Sequence, residues 1–531
     1  MIKIADLNIP LEYDMDLLKR TAADILGISE VRIKSLKIVK RAIDTLDKND
    51  VHFKIAIILR VSGSEEEIVY SIKKKQVTLE EEPLYTAPAT SRLVQRPIVV
   101  GCGPAGMFAA LTLAIAGARP ILLERGSDVD SRRESVLSFW HTGILNTHSN
   151  VQFGEGGAGA FSDGKLKVGF KDARKMYILK EFVNAGAPPE IMYEEKPHIG
   201  TDYLHGIVKR IREKTIGLGG EVHFNTVVTR VLIKDGKVAG VGFIKNGAYK
   251  ELYSDNIILA IGHSARDTFE NLLDCGIHIE QKPFSIGVRI EHPQHLINEL
   301  VYGRFAVHPS LGAADYRMTV HLKNGRGVYT FCMCPGGEVV AAASEKDRLV
   351  TNGMSEYARN GVNANTALLV TLGKGDIKSE HPLAGVNFQR DIEKAAFKAG
   401  GGGYKAPVQR LGDFMMGTET KEFGDVIPTY LPGTNFAEVD SYLPDYITAS
   451  LRQAVYEMED WMPGFAYADA VLTGAETRSG APVRITRDEN YEAIGIKGLY
   501  PCGEGAGYSG GIISAAVDGV ICAERILVMQ S

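Results

Sequence analysis

Three glycines at a fixed spacing give the clearest chemical signal in the chain. Gly101, Gly103 and Gly106 form a GxGxxG pattern directly after the apolar run at 98–100. The first glycine permits a tight turn, the second lets the backbone approach a pyrophosphate, and the third lets the following helix pack closely on the strand. The N-terminus of that helix offers unpaired N–H groups and a positive dipole end to the diphosphate. The pattern predicts a dinucleotide-binding strand, turn and helix.

An acidic residue closes the second strand of the same unit. The segment 120–123 is apolar and is followed by Glu124. The Glu124 carboxylate is placed to accept hydrogen bonds from a ribose diol. Because no basic residue replaces the acid, the position favours an adenosine ribose without a 2′-phosphate. FAD and NAD share this ADP half, so the unit alone does not separate them.

A second glycine-rich turn stands near the C-terminus. It carries Gly503 and Glu504, and then Gly510, Gly511 and Ile512 begin an apolar helix. Here the chain resembles the large two-dinucleotide-fold flavoprotein superfamily, in which such a segment binds the ribityl chain and the flavin pyrophosphate through an acidic side chain. Glu504 matches that acid by position, although aspartate is commoner in the superfamily. The helix N-terminus would favour an anionic reduced flavin.

Further segments carry the same resemblance. The strand and turn at 256–268 match the segment that closes the FAD domain, and Val227 lies with its neighbour where a strand packs against adenine. The loop 150–166, with Gly159 in its glycine run, matches the loop that lies along the isoalloxazine ring. The resemblance implies FAD as the cofactor. The residues assigned to it are Gly101, Gly103, Pro104, Ala105, Gly106, Glu124, Arg125, Gly156, Gly157, Ala158, Val228, Gly262, Gly503, Glu504, Gly510, Gly511 and Ile512.

Over nearly its whole length the chain resembles a bacterial family of FAD-dependent, or NAD(FAD)-utilising, dehydrogenases. The segments that carry this resemblance are GEGGAGAFSDGKL, PFSIGVRIEHP, TFCMCPGGEVV, NGMSEYARNGVNAN and GAETRSGAPVRI. The family implies a fold and a cofactor but no substrate. The chain has no second dinucleotide fingerprint and no CxxC pair, which argues against a separate nucleotide domain or a dithiol relay. NAD(P)H remains a candidate transient reductant.

Four basic residues are the catalytic candidates, and each has an ordinary alternative. Lys165 would place positive charge near the flavin ring or a substrate carboxylate, or it is a solvated loop lysine. Arg478 and Arg484 precede the distal turn and could clamp a carboxylate or phosphate. Arg289 adjoins a glutamate and a histidine at the end of a predicted strand, where salt-bridged strand residues explain the group equally well.

Cysteine and aromatic residues give weaker signals. Cys332 and Cys334 form a CxC on a predicted strand, which places both side chains on one side and suits an electron relay or a soft metal. Buried core residues are the more frequent cause of such a pair. His263 is close enough to the closing strand to touch the cofactor, or it is a turn residue, while Tyr404 and Tyr508 stack on a ring or belong to the core. The scattered cysteines lack zinc spacing, so no metal site is predicted.

These motifs predict an α/β fold with several domains. A small N-terminal α+β domain of ferredoxin-like type is predicted for 1–92, with a linker at 80–97. A Rossmann-like FAD-binding domain is predicted for 93–270 and 469–531, split by an inserted α+β substrate or cap domain at 271–468. The length of 531 residues supports several hydrophobic cores.

Composition and charge narrow the function. The chain has 45% hydrophobic and 24% charged residues and a formal net charge of −5, which favours neither a general nucleic-acid partner nor a membrane partner. No signal peptide or membrane span is predicted, so a cytoplasmic location is expected. We expect an FAD-dependent oxidoreductase that moves a hydride or electrons between flavin N5 and a small-molecule substrate or an electron carrier.

Two alternatives remain open from the sequence. The basic segment at 32–44 in the N-terminal domain would suit a flavin-dependent RNA-modifying enzyme, or it is an edge strand guarded by lysines. The chain could also be a noncatalytic flavin redox sensor whose partner reads the oxidation state. Nucleic acid is therefore a less favoured partner than a small molecule.

Overall fold

The computed structural model describes residues 1–81, 85, 86, 88, 93–166, 169 and 171–529. The predicted linker at 80–97 lies partly outside these residues. The first elements are β1 (Ile2–Ile9), α1 (Met15–Leu26), β2 (Ile33–Asp44), β3 (His52–Val61), α2 (Glu65–Ile72) and β4 (Val77–Leu79). The four strands form one antiparallel sheet in the order β2-β3-β1-β4.

Helix α1 illustrates how local sequence sets these boundaries. It begins where the Asp14 carboxylate accepts the N–H of Leu17 at 2.7 Å, and it ends at Gly27, which adopts the left-handed conformation. Its buried face, which includes Leu18 and Ala22, belongs to the same apolar core as the sheet. The cap and the apolar face together fix both the ends and the orientation of the helix.

The edge strand β2 is docked onto a later part of the chain. The N–H of Arg41 donates to the carbonyl of Tyr193 at 2.7 Å, and the N–H of Glu195 donates to the carbonyl of Arg41 at 2.8 Å. The Arg41 guanidinium pairs with Glu194, and Lys40 pairs with Glu195 at 3.1 Å. Two cations of the basic segment, Lys40 and Arg41, therefore form contacts within the protein. The edge of β2 is hydrogen-bonded to residues 193–195 at this point and is not protected by its lysines alone.

The rest of the described chain alternates strands and helices. The strands are β5 (Ile98–Val100), β6 (Ile121–Leu123), β7 (Glu221–His223), β8 (Thr226–Lys234), β9 (Lys237–Lys245), β10 (Ala248–Tyr253), β11 (Ile257–Leu259), β12 (Ile279–Gln281), β13 (Phe284–Pro293), β14 (Thr319–His321), β15 (Gly327–Cys334), β16 (Glu338–Ala341), β17 (Thr351–Met354), β18 (Asn363–Leu372), β19 (Ala406–Arg410), β20 (Thr434–Phe436), β21 (Val471–Glu476), β22 (Val483–Ile485) and β23 (Leu499–Pro501). The helices are α3 (Pro104–Ile115), α4 (Val129–Thr142), α5 (Ala173–Asn184), α6 (Thr201–Gly217), α7 (Arg266–Asp274), α8 (Gln294–Tyr302), α9 (Ala384–Ala399), α10 (Leu411–Met416), α11 (Asp445–Trp461) and α12 (Ile512–Met529).

A parallel sheet has the strand order β23-β11-β5-β6-β7. Strands β5, β6 and β11 are fully buried apolar triplets, as expected for parallel strands covered on both faces. Helices α3 and α12 share a small-residue core with this sheet, which includes Ala109 and Ala523. A separate antiparallel sheet, β10-β9-β8, follows β7 in the chain.

A seven-stranded sheet is built from the chain between β11 and β23, in the order β14-β15-β18-β13-β21-β19-β20. Its pairs are antiparallel except for β19 and β20. The central strand β13 is buried along its whole length. The protein therefore has an α/β fold with mixed sheets, in which the seven-stranded sheet faces the parallel one.

Candidate functional site

A cavity of about 580 Å³ lies between the two large sheets. Its walls include Val100, Leu123 and Ala260, at or just after the carboxyl ends of β5, β6 and β11, and also Phe331 and Met333 of β15. Ligands of open parallel sheets bind in the crevice beyond the carboxyl ends of the strands. Small-molecule and cofactor sites have volumes of about 300 to 1,000 Å³. The cavity thus has the position and the size of a cofactor site.

The glycine turn after β5 forms one wall of the cavity. Gly101 has φ +99°, and a Cβ atom there would lie 2.3 Å from the carbonyl oxygen of Ala260. A Cβ atom on Gly106 would lie 1.9 Å from the carbonyl oxygen of Gly101, so this glycine allows helix α3 to pack on the turn. Gly103 is different, because its Cβ would meet only the Cα of Gly157, at 3.8 Å. The space beside Gly103 is open to a ligand rather than filled by the protein.

Glu124 holds three backbone segments around this wall. Its Oε2 accepts the N–H of Cys102 at 2.7 Å, and its Oε1 accepts the N–H groups of Gly126 and Gly154 at 2.8 and 2.9 Å. A carboxylate has about four acceptor positions, so one remains for a ribose hydroxyl. The adjacent Arg125 lines the cavity and has its guanidinium carbon 4.5 Å from the centre of the Phe153 ring.

The distal turn lies beside the first glycine turn, since a Cβ atom on Gly503 would lie 2.8 Å from Cβ of Ala105. Gly503 donates its N–H to Asp518 at 2.7 Å, which anchors the turn on helix α12. Burial raises the pKa of Glu504 to about 7, against an opposing effect of Lys282. Glu504 Oε2 lies 3.8 Å from Nδ1 of His263. Burial, with the positive charge of Arg478, lowers the pKa of His263 to about 3, so its imidazole is neutral at physiological pH.

The residues of this region fit FAD. The turns at Gly103 and Gly503 line one cavity, and helix α3 has no side-chain cap at Gly103, so its first N–H groups remain available to a diphosphate. Among the described residues, Nε2 of His263 is a buried nitrogen without a hydrogen-bond partner, although His263 lines the cavity. An orphaned polar atom at a cavity wall is what a bound polar group would satisfy.

Most residues predicted to hold FAD line this cavity. They are Gly101, Gly103, Pro104, Ala105, Glu124, Arg125, Gly157, Ala158, Val228, Gly262, Gly503, Glu504, Gly510, Gly511 and Ile512. Gly106 and Gly156 are not among the lining residues. A Cβ atom on Gly156 would lie 3.0 Å from Cβ of Ala160 and 3.1 Å from a methyl group of Val208, so that glycine permits close packing of the loop on α6.

Lys165 lies in the cavity wall on the side of the seven-stranded sheet and is half-buried. Nearby wall residues are paired, Arg359 with Asp163 and Lys196 with Asp315. Within the described part of the chain, the Lys165 ammonium has no such partner. Lys165 thus has no direct ion pair in the described chain, although its charge also acts on Asp315 and Cys332.

Arg478 lines the cavity, but its guanidinium is already occupied. Its Nε and Nη2 each donate to the Glu393 carboxylate at 3.0 Å, and Nη1 donates to Ser264 at 3.1 Å. Arg266 donates to the same buried carboxylate at 2.7 and 2.8 Å. The predicted bidentate binding of a substrate by Arg478 is therefore wrong, because Nε and Nη2 of its guanidinium already bind the buried Glu393 carboxylate.

Arg289 is not a catalytic residue of this cavity, and it forms an ion pair as the alternative of salt-bridged strand residues predicted. Arg289, Glu291 and His292 are fully buried in β13 and do not line the cavity. Arg289 binds Glu476 at 3.0 and 3.1 Å, and His292 Nε2 lies 2.7 Å from the carbonyl oxygen of Phe465. Burial raises the pKa of Glu291 and lowers that of His292 to about 4. These are buried core groups, of which Glu291 Oε2 and His292 Nδ1 have no hydrogen-bond partner among the described residues.

Arg484 and the two candidate stacking tyrosines lie away from the cavity lining. Arg484 is 40% exposed and lies 3.8 Å from Glu280, so it cannot clamp a ligand in the cavity. Its guanidinium and that of Arg487 pack over the Tyr508 ring. Tyr404 packs in the apolar core instead. Of the two alternatives for these tyrosines, packing rather than stacking on a cofactor ring agrees with these contacts.

The CxC pair does not follow a regular strand. The pairing of β15 with β18 shifts between Phe331 and Cys334, and Cys332 has φ +46°. Cys332 lines the cavity, whereas Cys334 is fully buried. A bulge interrupts the two-residue alternation on which the predicted same-side arrangement depends, yet the two thiols still share a side-chain hydrogen bond.

Several residues that line the cavity were not predicted from the sequence. Asp163 and Arg359, 196 positions apart, form an ion pair at the cavity, and Asp315 joins the same region. Asp163 stands two residues before Lys165 in the glycine loop 150–166, and this position was the feature of the sequence that could have indicated it.

A cluster of Cys502, Asp518 and Cys522 has potential metal-ligand atoms within 4.8 Å of one another. Arg487 donates to both carboxylate oxygens of Asp518. The guanidinium therefore already neutralises the charge of that aspartate.

The described helices include none with the length and apolar character needed to cross a membrane.

Two family models match separate parts of the chain. Residues 283–479 match the family model described as "FAD-dependent protein, C-terminal domain-like". Residues 1–59 match a domain of unknown function, DUF8436. Alignable solved structures include a triple mutant of the flavin-dependent brominase Bmp2, with 12% identity, 82% of this chain and 80% of that chain covered, and a TM-score of 0.37. Another is E. coli quinol fumarate reductase, with 12% identity, 82% and 70% coverage, and a TM-score of 0.35.

A full-length relative comes from Clostridium beijerinckii (strain ATCC 51743 / NCIMB 8052), where it is described as an uncharacterized protein. It is 50% identical over 530 residues, which cover 99% of this chain and 98% of the relative. The aligned region includes both glycine turns, the seven-stranded sheet and the N-terminal sheet. The chain therefore belongs to the same family as the C. beijerinckii protein.

Proposed function

We propose that the protein is an FAD-dependent oxidoreductase that acts on a small anionic substrate or exchanges electrons with a carrier. In this proposal 93–270 and 469–531 hold FAD, and the inserted region 271–468 supplies the substrate-facing wall. The N-terminal domain, 1–92, is of ferredoxin-like type and docks onto the FAD region through β2. NAD(P)H is a proposed external reductant that binds transiently.

One observation carries the proposal: residues from three separated glycine segments line the same cavity. Gly103 belongs to the first segment, Gly262 to the second and Gly503 to the third. Gly103 presents an uncapped helix N-terminus, and Glu124 retains an acceptor position beside it. These features support binding of the ADP half at β5 and β6, with the flavin half toward the distal turn.

The flavin, when bound, supplies two-electron chemistry at its N5 atom. The chain supplies position and charge. The neutral His263 can donate or accept one hydrogen bond at its unpaired Nε2 without adding charge. Gly510 and Gly511 precede helix α12, whose N-terminal dipole favours negative charge at the adjoining cavity wall.

Lys165 supports the anionic character of the substrate. It is the lysine of the lining that lacks an ion-pair partner in the described residues, since Lys196 pairs with Asp315. An ammonium removed partly from water is stabilised by an anion placed beside it. A carboxylate or phosphate on the substrate would provide that charge while the reacting atom lies nearer the distal turn.

The decisive test is whether purified protein carries FAD and turns over. We expect flavin absorbance at one FAD per chain, reduction under anaerobic NADH, NADPH or dithionite, and repeated reoxidation by an added acceptor. Absence of flavin absorbance together with no binding of added FAD would overturn the proposal. A single stoichiometric reduction without turnover would favour the redox-sensor alternative.

The RNA-modifying alternative has less support from the contacts of β2. Lys40 and Arg41 face Glu195 and Glu194, which leaves fewer cations of that strand for phosphate contacts. Salt-dependent RNA binding by the full chain, lost in a variant with Lys34 and Lys37 changed to glutamine, would favour this alternative. No binding at low salt would count against it.

A further inference from the structure

The strand bulge in β15 places one thiol in the cavity wall and a second thiol behind it. The ladder to β18 is regular up to Phe331, which faces Ala367, and resumes at Cys334, which faces Asn365. Cys332 therefore lies in the irregular part, at φ +46°, a backbone region that residues other than glycine seldom adopt. A cysteine that only filled the core would need neither the bulge nor the cavity position.

The two thiols contact each other. Cys332 and Cys334 share a side-chain hydrogen bond, and Sγ of Cys334 also donates to the carbonyl oxygen of Cys332 at 3.3 Å. Cys332 is half-buried and lines the cavity, whereas Cys334 is fully buried. The first thiol is therefore accessible from the cavity, and the second is accessible mainly through the first.

Positive charge surrounds the accessible thiol. Nη1 of the fully buried Arg289 donates to the carbonyl oxygen of Cys332 at 3.0 Å. The hydrogen bond from Cys334, together with Arg289 and Lys165, lowers the pKa of Cys332 to about 6, although burial and Asp163 act in the opposite direction. The pKa of Cys334 is raised by the same hydrogen bond and by burial. The pair therefore favours ionisation of Cys332 over ionisation of Cys334, which makes Cys332 the more reactive thiol.

The pair also lies toward the flavin end of the cavity. Cys332 and Glu504 line the same cavity, and negative charge on Cys332 helps to raise the pKa of Glu504. Glu504 belongs to the distal turn that we assign to the flavin half of FAD. The accessible thiol is therefore on the side where electrons would enter or leave.

We propose that Cys332 and Cys334 form a dithiol–disulfide couple that exchanges an electron pair with bound FAD. This inference rests on the proposed function, because FAD is the oxidant. The Cys332 thiolate and the Cys334 thiol join in one S–S bond as the S–H bond of Cys334 breaks. Two electrons and that one proton pass to oxidised FAD, which becomes its anionic two-electron-reduced form. The reverse step reduces the disulfide.

Arg289 acts as a positioning residue in this couple. Its guanidinium holds the carbonyl of Cys332 and is itself held by Glu476. The buried arginine that sequence analysis placed in the active site would then act through the thiol instead of through the substrate. Its position behind the bulge accounts for a fully buried cation in the middle of the sheet.

The test is an anaerobic reductive titration of the oxidised, FAD-loaded protein with dithionite. A flavin and a disulfide are each a two-electron couple, so the wild type should consume about four reducing equivalents per FAD. Cys332→Ser and Cys334→Ser should each consume about two, like free flavin. Cys275→Ser, which changes a cysteine outside the cavity lining, is the matched control and should behave as the wild type.

Differential alkylation with mass spectrometry supplies a readout independent of activity. Before reduction, the peptide containing Cys332 and Cys334 should carry an internal disulfide, and after titration it should carry two alkylated thiols. Consumption of two equivalents by wild-type protein with a normal flavin spectrum and no disulfide would overturn the thiol proposal alone. Protein that binds no FAD would overturn the proposed function as well. The wild-type measurements decide the matter even if a serine variant fails to fold, and Cys332→Ala provides a second variant.

Discussion

The two ends of the cavity are built in different ways. At the end formed by the parallel sheet, backbone groups dominate, with Gly103 and Gly157 facing each other and Glu124 binding three N–H groups. At the end formed by the seven-stranded sheet, side chains dominate, including Lys165 and Cys332. The first end suits a diphosphate and a ribose, which many proteins bind in one way. The second end suits a particular substrate.

This difference predicts separate roles for the two ends in the proposed function. Backbone N–H groups and glycines recognise the common part of a cofactor. Charged and redox-active side chains set which molecule reacts. If the comparison is correct, changes at the first end should abolish FAD binding, and changes at the second end should alter chemistry while FAD stays bound.

The largest expected effect is at Gly103. Valine at this position is compatible with φ −72°, and its Cβ would meet Gly157 only at 3.8 Å, so Gly103→Val should fold. Its side chain would occupy the space that we assign to the pyrophosphate. We expect FAD affinity to fall about 100-fold or more, equivalent to about 3 kcal/mol, in a fluorescence titration of the apoprotein.

The control for this variant is Gly217→Ala, at the end of α6, where an added Cβ has no neighbour within 4 Å. It should bind FAD like the wild type. Wild-type affinity in Gly103→Val would show that the diphosphate lies elsewhere. It would also remove the basis for treating the parallel-sheet end as the cofactor end.

The wall that joins the two ends should control stability. Glu393 is fully buried and binds Arg266 and Arg478. Burial acts to raise its pKa, but the two arginines hold it well below its usual range. Removing one partner of a buried ion pair costs about 3 to 5 kcal/mol, so Glu393→Gln should lower the free energy of unfolding by that order in a urea titration.

The matched comparison is Asp130→Asn, which removes an ion pair with Lys209 at 2.7 Å on the surface. Exposed pairs contribute at most about 1 kcal/mol. The pH dependence of the stability that Glu393 contributes follows from the lowered pKa of its carboxyl group. Its contribution is present above the pKa of an unfolded glutamate, about 4.3, and is lost as the pH falls through the lower folded value. Equal effects of the two variants would contradict a special role for the buried cluster.

The sequence predicted the end of the cavity at the parallel sheet better than the end at the seven-stranded sheet, and the reason is physical. The glycine turn, helix α3 and Glu124 depend on local spacing within one strand–helix–strand unit. The second end depends on strand register. Asp163 meets Arg359 across 196 positions of sequence, and a bulge redirects Cys332.

The misassigned arginines make the same point. Arg289 and Arg478 each have a carboxylate partner, Glu476 or Glu393, that is distant in sequence and buried. No local pattern distinguishes an arginine that binds a substrate from one that neutralises a core carboxylate. The sequence correctly placed Arg478 at the cavity. It did not predict that the guanidinium binds Glu393 instead of a substrate.

A smaller effect is expected at Lys165. Lys165→Met removes the unpaired ammonium with little change in side-chain length, while FAD remains bound. With malonate as an anionic probe, monitored by the flavin difference spectrum, we expect binding to weaken about tenfold, equivalent to about 1.4 kcal/mol. Lys165→Arg should retain most of the affinity because the charge is kept. Unchanged malonate binding in the methionine variant would place the anion site elsewhere.

The smallest expected effect concerns the pH dependence of FAD binding at Glu504. Its pKa is raised to about 7 by burial, so the carboxyl group is mostly protonated at pH 6 and mostly ionised at pH 8. FAD adds an anionic diphosphate and removes more water, which disfavours the ionised form. Affinity should therefore fall several-fold between these pH values in the wild type, as measured by fluorescence titration, because binding favours the protonated carboxyl group.

Glu504→Gln keeps the shape of this side chain and removes its titration, so its FAD affinity should change little over the same pH range. The nearby His263 is not expected to contribute, since its pKa is about 3 and the ring stays neutral throughout. Cys332 has a pKa of about 6 and is the other group of this region that titrates in the window, so the comparison is repeated in Cys332→Ser. A slope that persists in Glu504→Gln but disappears in Cys332→Ser would assign it to the thiol. The pH response would then arise from the seven-stranded sheet rather than from the distal glycine turn.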